Sequence, residues 1–232
     1  MASTISFADA NAGLQIGNSN ALITAQFHLP PERPEAPPSP ISTVPFSRDP
    51  DFVDRGTLLD QIHEKCSRPA SRIALVGFGG VGKSQLVIEY CYRVRAQSPE
   101  TWVFWIHGSN ASRFEESCQE IADRVKIPGR KDPKTNVFEI IHRWLQDEKN
   151  GKWVLVLDNV DDDNFLRQAP HASQDKQGSS QASKKPLIAY LPPSPNGSII
   201  MTSQSRGVAL NMIEENDIIA IEPMDELHAD AL

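Results

Sequence analysis

Hydrophobic positions along this chain alternate between short continuous runs and helical spacing from about residue 56 onward. Continuous apolar runs predict buried strands, whereas apolar residues at every third or fourth position predict amphipathic helices. The runs are 72–76, 102–106, 153–157, 198–202 and 217–221, and the helical patterns are 56–66, 82–96, 111–125, 135–148 and 208–213. Because strands and helices alternate, we expect an α/β fold with a mostly parallel sheet of about five strands.

Three stretches lack this periodicity. Residues 1–28 contain one charged side chain, Asp9, and no proline, whereas residues 29–50 carry eight of the 18 prolines. A proline-rich stretch is typical of an extended, semi-rigid spacer. Residues 169–186 are rich in Ser, Gln, Lys and Ala, which predicts a mobile surface loop. We therefore predict an N-terminal segment over 1–28, a linker over 29–50 and a domain over 51–232.

Charge and cysteine content narrow the classes of partner and compartment. A formal net charge of -7 gives no general attraction to nucleic acid or to anionic lipid, so we expect neither as a partner. No stretch approaches the roughly 18 apolar residues that span a bilayer. The 3 cysteines stand at wide spacings that fit neither a disulfide framework nor a zinc site. The sequence therefore predicts a cytoplasmic protein with reduced thiols.

A glycine-rich segment, GFGGVGKS at 77–84, lies between the first predicted strand and the helix that follows it. Its glycines allow backbone N–H groups to surround phosphate oxygens, and the helix N-terminus adds partial positive charge. Lys83 is then placed to reach the β- and γ-phosphates, and the Ser84 hydroxyl to bind magnesium. We predict that the following residues bind ATP or ADP with Mg²⁺: Gly77, Phe78, Gly79, Gly80, Val81, Gly82, Lys83, Ser84 and Gln85.

A second anchor for the site follows the apolar run 153–157, which ends in Asp158. Ligands of open parallel sheets gather at the carboxyl ends of strands, so we predict that Asp158 holds magnesium and acts with Lys83 in catalysis. An acid in this position is also a common turn former. The next residue, Asn159, cannot act as a base. The acids at 161–163 could orient an attacking water, although helix capping is their commoner role.

Four segments of the chain carry a family resemblance: FVDR at 52–55, the glycine-rich loop, LDNVD at 157–161 and GSIIMTS at 197–203. Together they resemble the NB-ARC type of signalling ATPase, a STAND-class P-loop NTPase found in apoptotic activators, plant resistance proteins and fungal NOD-like receptors. The resemblance covers 51–232 and implies a three-layer αβα sandwich. It also implies that Val53 and Arg55 contact adenine.

The chain departs from this family at three places. Asn159 stands where many relatives have a second acid, and Gln204 where many have an arginine that senses the γ-phosphate. Arg206 lies two residues further on and is an alternative sensor. These departures favour nucleotide binding over hydrolysis, so we expect at most a slow ATPase. The helical, winged-helix and repeat regions of the family would follow Leu232, so we expect a truncated gene product or a minimal receptor.

The N-terminal segment carries a second resemblance. NAGLQIG at 11–17 resembles the pseudo-palindromic amyloid-signalling motif of fungal receptors, whose core relates to the RIP-homotypic interaction motif. The segment has the Asn, Gln and apolar residues, and the low charge, that a cross-β stack requires. The resemblance implies self-association through residues 11–28 and an effector protein with a matching motif as partner. The alternative is a disordered polar tail.

These features support one leading hypothesis and two alternatives. The leading hypothesis is a signalling switch in which ADP favours a closed monomer and ATP favours an assembly that concentrates the N-terminal segments. A small-molecule kinase or general P-loop ATPase is the first alternative, and it requires a substrate pocket and a dedicated base. The second is a non-catalytic interaction protein that retains the fold.

Overall fold

The computed structural model of the protein describes residues 38–168 and 185–223. Within these ranges, five strands form one sheet in the order β2-β3-β4-β1-β5, and every neighbouring pair is parallel. The strands are β1 Arg72–Val76, β2 Trp102–His107, β3 Trp153–Asp158, β4 Gly197–Ser203 and β5 Ile218–Ala220. The predicted α/β class with a parallel sheet of about five strands is confirmed.

Helices connect the strands, with bounds set by local caps. They are α1 Gly56–Cys66, α2 Lys83–Gln97, α3 Ala111–Val125, α4 Val137–Gln146, α5 Asn164–Arg167 and α6 Arg206–Leu210. The predicted helix 135–148 is shorter at both ends. Asn136 Oδ1 caps α4 by accepting from Phe138 N at 2.9 Å, and Asp147 starts a 3-10 turn by accepting from Lys149 N at 3.0 Å. α6 starts two residues before the predicted 208 because Ser205 Oγ caps it.

Each face of the sheet buries its own hydrophobic core. Val103 and Trp105 of β2 point to the side covered by α1 and α2, whereas Phe104 and Ile106 point to the side covered by α3 and α4. This alternation follows from the two-residue period of a strand. The sequence of a strand that is covered on both faces is a continuous run of apolar residues, as it is in these strands. The predicted three-layer αβα sandwich is therefore the observed architecture.

Residues 41–48, which we call the arm, lie along the outer edge of β2. The amide and the carbonyl of Val103 both pair with arm backbone, at 3.1 and 2.9 Å. The buried Thr43 hydroxyl accepts a hydrogen bond from Trp105 N at 2.8 Å. An uncovered edge strand exposes unpaired backbone groups, and the arm satisfies them here. The arm belongs to the stretch that composition alone assigned to the linker over 29–50, so contacts with the sheet begin before residue 51.

The three cysteines are free and buried. Burial raises the pKa of the Cys66 thiol to about 12, and burial also raises the pKa of Cys91 and Cys118. A thiol with a raised pKa is a poor nucleophile, which suits the predicted reduced, structural cysteines.

Several predictions fall outside the described residues. They concern the N-terminal segment with its motif at 11–28, most of the loop 169–186, and residues 224–232. In the part of the chain that the structure does describe, no helix combines the length and the apolar character needed to cross a membrane.

Candidate nucleotide-binding site

The glycine-rich loop joins β1 to α2 at the carboxyl edge of the sheet. Gly80 and Gly82 have φ angles of 82° and 87°, which other residue types adopt at a cost. Gly77 packs so closely that a Cβ there would lie 2.2 Å from the Ile221 carbonyl oxygen. The loop therefore requires glycine at these three positions for its shape.

Lys83, the first residue of α2, is a buried cation with neutral partners. Its side chain is 9% exposed, and its Nζ donates to the carbonyl oxygens of Gly77 at 2.9 Å and Phe78 at 2.8 Å. Burial lowers the pKa of Lys83, while the nearby Asp161 and Asp158 carboxylates act in the opposite direction. A buried ammonium without a directly bound counter-charge is suited to an anionic ligand.

The remaining residues of the loop divide by exposure. Val81 is buried at 8% exposure and can face a ligand only with its backbone. Phe78 is 78% exposed at the tip of the loop. Gln85 is exposed on the first turn of α2. We therefore expect the loop to offer backbone groups, rather than side chains, to a phosphate.

Asp158 meets Ser84 at the centre of the site. Asp158 Oδ1 accepts hydrogen bonds from Ser84 Oγ and Thr202 Oγ1, both at 2.7 Å, although the residues come from three separate elements. Carboxylate and hydroxyl oxygens are ligands that Mg²⁺ accepts in nucleotide sites. The pair therefore fits the predicted magnesium role of Ser84 and Asp158. Sequence reasoning assigned Thr202 no role, although a threonine closing an apolar strand was the available signal.

The acids after Asp158 have roles that differ from the predicted helix capping. Asp161 accepts from the backbone N of Gln204 at 2.7 Å and from its Nε2 at 3.0 Å. Asp163 pairs with Arg167 Nε at 2.6 Å and makes no side-chain cap hydrogen bond. Asp162 alone accepts from a backbone N at the start of α5. The capping prediction is therefore wrong for two of the three acids. Gln204, directly after β4, supplies the competing donors to Asp161, whereas Arg167 and Asn211 Nδ2 bind the Asp163 carboxylate.

The remaining residues that the sequence analysis singled out for the site are Val53, Arg55 and Arg206. Arg55 donates to the carbonyl oxygens of Val81 at 3.1 Å and Glu222 at 2.8 Å, so it ties the loop to the residues after β5. Val53 is half-buried. The adenine contacts of Val53 and Arg55 stay a prediction. Arg206 is directed to Glu215, at 2.8 Å, in an exposed ion pair.

The topology and the site together define a class of protein. A glycine loop between β1 and α2, a lysine and serine at the start of that helix, and an acid at the end of β3 form one edge of a parallel sheet. These are the parts of a P-loop NTPase domain.

Comparison with known proteins gives the family. The sequence model of the NB-ARC domain family matches residues 55–182 of this chain. The chain therefore belongs to the NB-ARC family. A nucleotide-binding leucine-rich repeat (NLR)-like protein of Hyaloscypha variabilis is 33% identical over 189 residues, which are 79% of this chain and 18% of that protein. The chain thus spans less than a fifth of this relative's length.

Solved structures give weaker likenesses. Cdc6p from Pyrobaculum aerophilum has a TM-score of 0.48 at 17% identity, over 78% of this chain and 49% of its own. Domain III of the Thermotoga maritima replication initiation protein DnaA has a TM-score of 0.45 at 18% identity, over 79% of this chain and 72% of its own. Both scores lie below 0.5, so the topology and the family match carry the fold assignment.

Proposed function

We propose that this chain is an ADP- and ATP-binding switch of a NOD-like signalling receptor. The observation that carries the proposal is the buried Lys83 ammonium, which has two neutral carbonyl partners and lies next to Ser84, whose hydroxyl donates to Asp158. Phosphate supplies the counter-charge that this ammonium lacks. Membership of the NB-ARC family and the NLR-like relative support the signalling context.

Each residue of the site has a defined task in binding. The N–H groups of the loop and the N-terminus of α2 hold the phosphates, and Lys83 turns its ammonium from the loop carbonyls to the phosphate oxygens. Ser84 and Asp158 hold magnesium, which neutralises phosphate charge when it is bound. Val53 and Arg55 border the adenine end.

Hydrolysis is at most slow in this proposal. Asn159, directly after Asp158, has no group that can accept a proton. The nearest alternative, the Asp161 carboxylate, already accepts hydrogen bonds from Gln204. The switch therefore works by nucleotide exchange, and differential affinity for the two states drives it.

In the same proposal, exchange of ADP for ATP controls whether the N-terminal segments of several copies come together. ADP favours the closed monomer, and ATP favours an assembly that brings copies of residues 11–28 together. Such local concentration nucleates cross-β stacking, which recruits an effector with a matching motif. We place this switch in the cytoplasm of a fungal cell, in innate-immunity-like or cell-death signalling.

Nucleotide binding by the whole chain tests the proposal. The purified protein is denatured, any released nucleotide is identified by chromatography, and ADP affinity is measured by titration with Mg²⁺. We expect bound ADP, and an affinity about 10- to 100-fold lower in Lys83→Ala, because a hydrogen bond to a charged group contributes ~1.5–3 kcal/mol. Lys152→Ala, an exposed lysine at the opposite edge of the sheet, is the matched control and leaves affinity unchanged.

Light scattering on the same samples tests the exchange step. Wild type is expected to be monomeric with ADP and larger with a non-hydrolysable ATP analogue. A wild-type chain that binds neither nucleotide, or a Lys83→Ala chain that binds as tightly as wild type, contradicts the proposal. A single particle size with both nucleotides contradicts the switch while leaving nucleotide binding in place.

A further inference from the structure

Arg48, the last residue of the arm, binds helix α2. Its Nε and Nη2 donate to the two oxygens of the Glu89 carboxylate, both at 2.8 Å, which makes the pair a bidentate fork. The Glu89 side chain is 3% exposed, whereas that of Arg48 is 56% exposed. A second contact holds the arm to the same helix, because the Tyr92 hydroxyl donates to the Phe46 carbonyl oxygen at 2.9 Å. The helix that begins with Lys83 of the phosphate loop is therefore also the helix on which the arm is anchored.

Arg93 is the second cationic partner of Glu89, and it divides its donors between two acids. Its Nε donates to Glu89 Oε1 at 2.7 Å, and its Nη2 donates to Asp54 Oδ2 at 2.9 Å. Without Arg48, Glu89 Oε2 has no donor among the described residues. Arg93 can then turn both nitrogens to Glu89, since its Nε and Nη2 form the same fork that Arg48 uses. Arg48 consequently determines whether Arg93 is available to Asp54.

Asp54 precedes the residue that holds the phosphate loop. Arg55 donates to the carbonyl oxygens of Val81 at 3.1 Å and Glu222 at 2.8 Å. The Arg55 carbonyl also accepts from the first backbone amides of α1. The bond from Arg93 to Asp54 fixes the backbone from which Arg55 extends, so its loss frees the Arg55 side chain to leave the loop. An unbroken series of contacts thus joins the arm to the carbonyl of Val81.

The surface beneath the arm contains an unsatisfied polar group. Phe46 is 44% exposed and packs edge-on against Trp105, with 5.7 Å between the ring centroids. Trp105 is 3% exposed, and among the described residues its indole N–H has no hydrogen-bond partner. A buried N–H without a partner opposes docking, and water can pair with it when the arm leaves. We therefore expect docked and undocked arms to differ little in free energy, so that a ligand at the loop can shift their populations.

From these contacts we infer that docking of the arm and binding of nucleotide strengthen each other, with Arg48 as a positioning residue for the phosphate loop. The inference rests on the proposed nucleotide binding and adds its regulation. Coupling between two sites is reciprocal, so nucleotide that holds the loop also holds the arm. The segment over 1–28 precedes the arm in the chain, and the arm is the element through which that segment affects the nucleotide site.

The affinity of the whole chain for Mg·ADP, measured by calorimetric titration, tests the inference in a double-mutant cycle. We expect Arg48→Ala to weaken binding about fivefold, at the lower end of the range for coupled sites. Asp54→Ala should have an effect of similar size, and the double variant should bind no more weakly than either single variant, because both changes interrupt the same series of contacts. Arg48→Lys keeps the charge without the fork and should lie between wild type and Arg48→Ala.

Hydrogen exchange followed by mass spectrometry tests the reciprocal effect without any variant. The amides of Thr43, Val103 and Trp105 donate across the contact between the arm and β2. Saturating ADP should slow their exchange about fivefold in wild type, by the same coupling. In Asp54→Ala the nucleotide should leave the exchange of these amides unchanged.

Arg143→Ala is the matched control for the loss of an arginine. Arg143 is exposed on α4, which covers the other face of the sheet, so ADP affinity should equal that of wild type. Thermal melting of each variant confirms that it is folded. ADP affinity that is unchanged in Arg48→Ala, additive effects in the double variant, or arm exchange that ADP does not slow overturns the inference alone. Failure of wild type to bind nucleotide overturns the proposed function, and the inference with it.

Discussion

Helix α2 carries two buried charges with opposite surroundings. Lys83, in its first turn, is 9% exposed, and Glu89, six positions later, is 3% exposed. Glu89 accepts two hydrogen bonds from Arg48 at 2.8 Å and one from Arg93 at 2.7 Å. Lys83 donates only to the two neutral loop carbonyls among the described residues. A buried charge that is fully paired is satisfied within the fold and is costly to unpair, whereas one that lacks a counter-charge is available to a ligand.

The Glu89 cluster also joins parts of the chain that are distant in sequence. Arg48 belongs to the arm along β2, and Arg93 donates to Asp54 Oδ2 at 2.9 Å. Asp54 precedes Arg55, which holds the phosphate loop through the Val81 carbonyl. Hydrogen bonds from Arg48, followed by those from Arg93, lower the pKa of Glu89 even though burial acts to raise it. The carboxylate is thus stabilised in its charged form.

Removal of both arginines should produce the largest loss of stability. Arg48→Ala with Arg93→Ala leaves the buried Glu89 carboxylate without its two cationic partners, and we expect this to lower the free energy of unfolding more than any single change below. Urea unfolding followed by circular dichroism at pH 7 measures the change. Adding Glu89→Gln to the double variant should restore part of the loss. Arg206→Ala, which breaks an exposed pair with Glu215, should cost less than about 1 kcal/mol and serves as the control.

Glu89→Gln alone should have a smaller effect that depends on pH. At pH 7 we expect a loss of about 1–2 kcal/mol, because two charge-assisted partners are weakened while the arginines stay solvated. The folded pKa of Glu89 is lowered, so its contribution is complete above its unfolded pKa, about 4.3, and is lost as pH falls through the folded pKa. Urea unfolding from pH 7 to pH 3 should therefore show the two proteins converging in acid. A constant gap across that range contradicts the assignment.

Lys83→Met should change the stability of the nucleotide-free protein least. Burial lowers the pKa of Lys83, so its protonated form opposes folding at any pH below its unfolded pKa, and the variant should be as stable as wild type or slightly more stable. Excess ADP at about 100 times the wild-type Kd should stabilise wild type by about 2.7 kcal/mol and the variant by only about 0.4–1.4 kcal/mol, because the affinity of the variant is about 10- to 100-fold lower. Thermal or urea unfolding with and without ADP measures both effects. A large loss of stability in the nucleotide-free variant would contradict this prediction and would show that Lys83, like Glu89, stabilises the fold.

Local signals explain which elements could be predicted. The bounds of α1, β1 and α3 agree with the sequence prediction because hydrophobic periodicity and flanking breakers lie within each segment. The arm was not predicted to contact the sheet, because its prolines indicate an extended spacer. Its contacts depend on the backbone of β2 and on Glu89, which are distant in sequence. The short helix α5 was not predicted, because four residues are too few to show helical periodicity.

The sequence by itself determined the chemistry of the phosphate loop and the alternation of strands and helices, because both depend on residues adjacent in the chain. Tertiary structure decided what surrounds that loop. Strand β4 lies between β1 and β3, with Val76 opposite Ser203 and Leu157 opposite Met201. This register brings Thr202 to Asp158 and Gln204 to Asp161 across more than forty positions of sequence. Strand order and register follow from packing of the whole sheet, which no local pattern records.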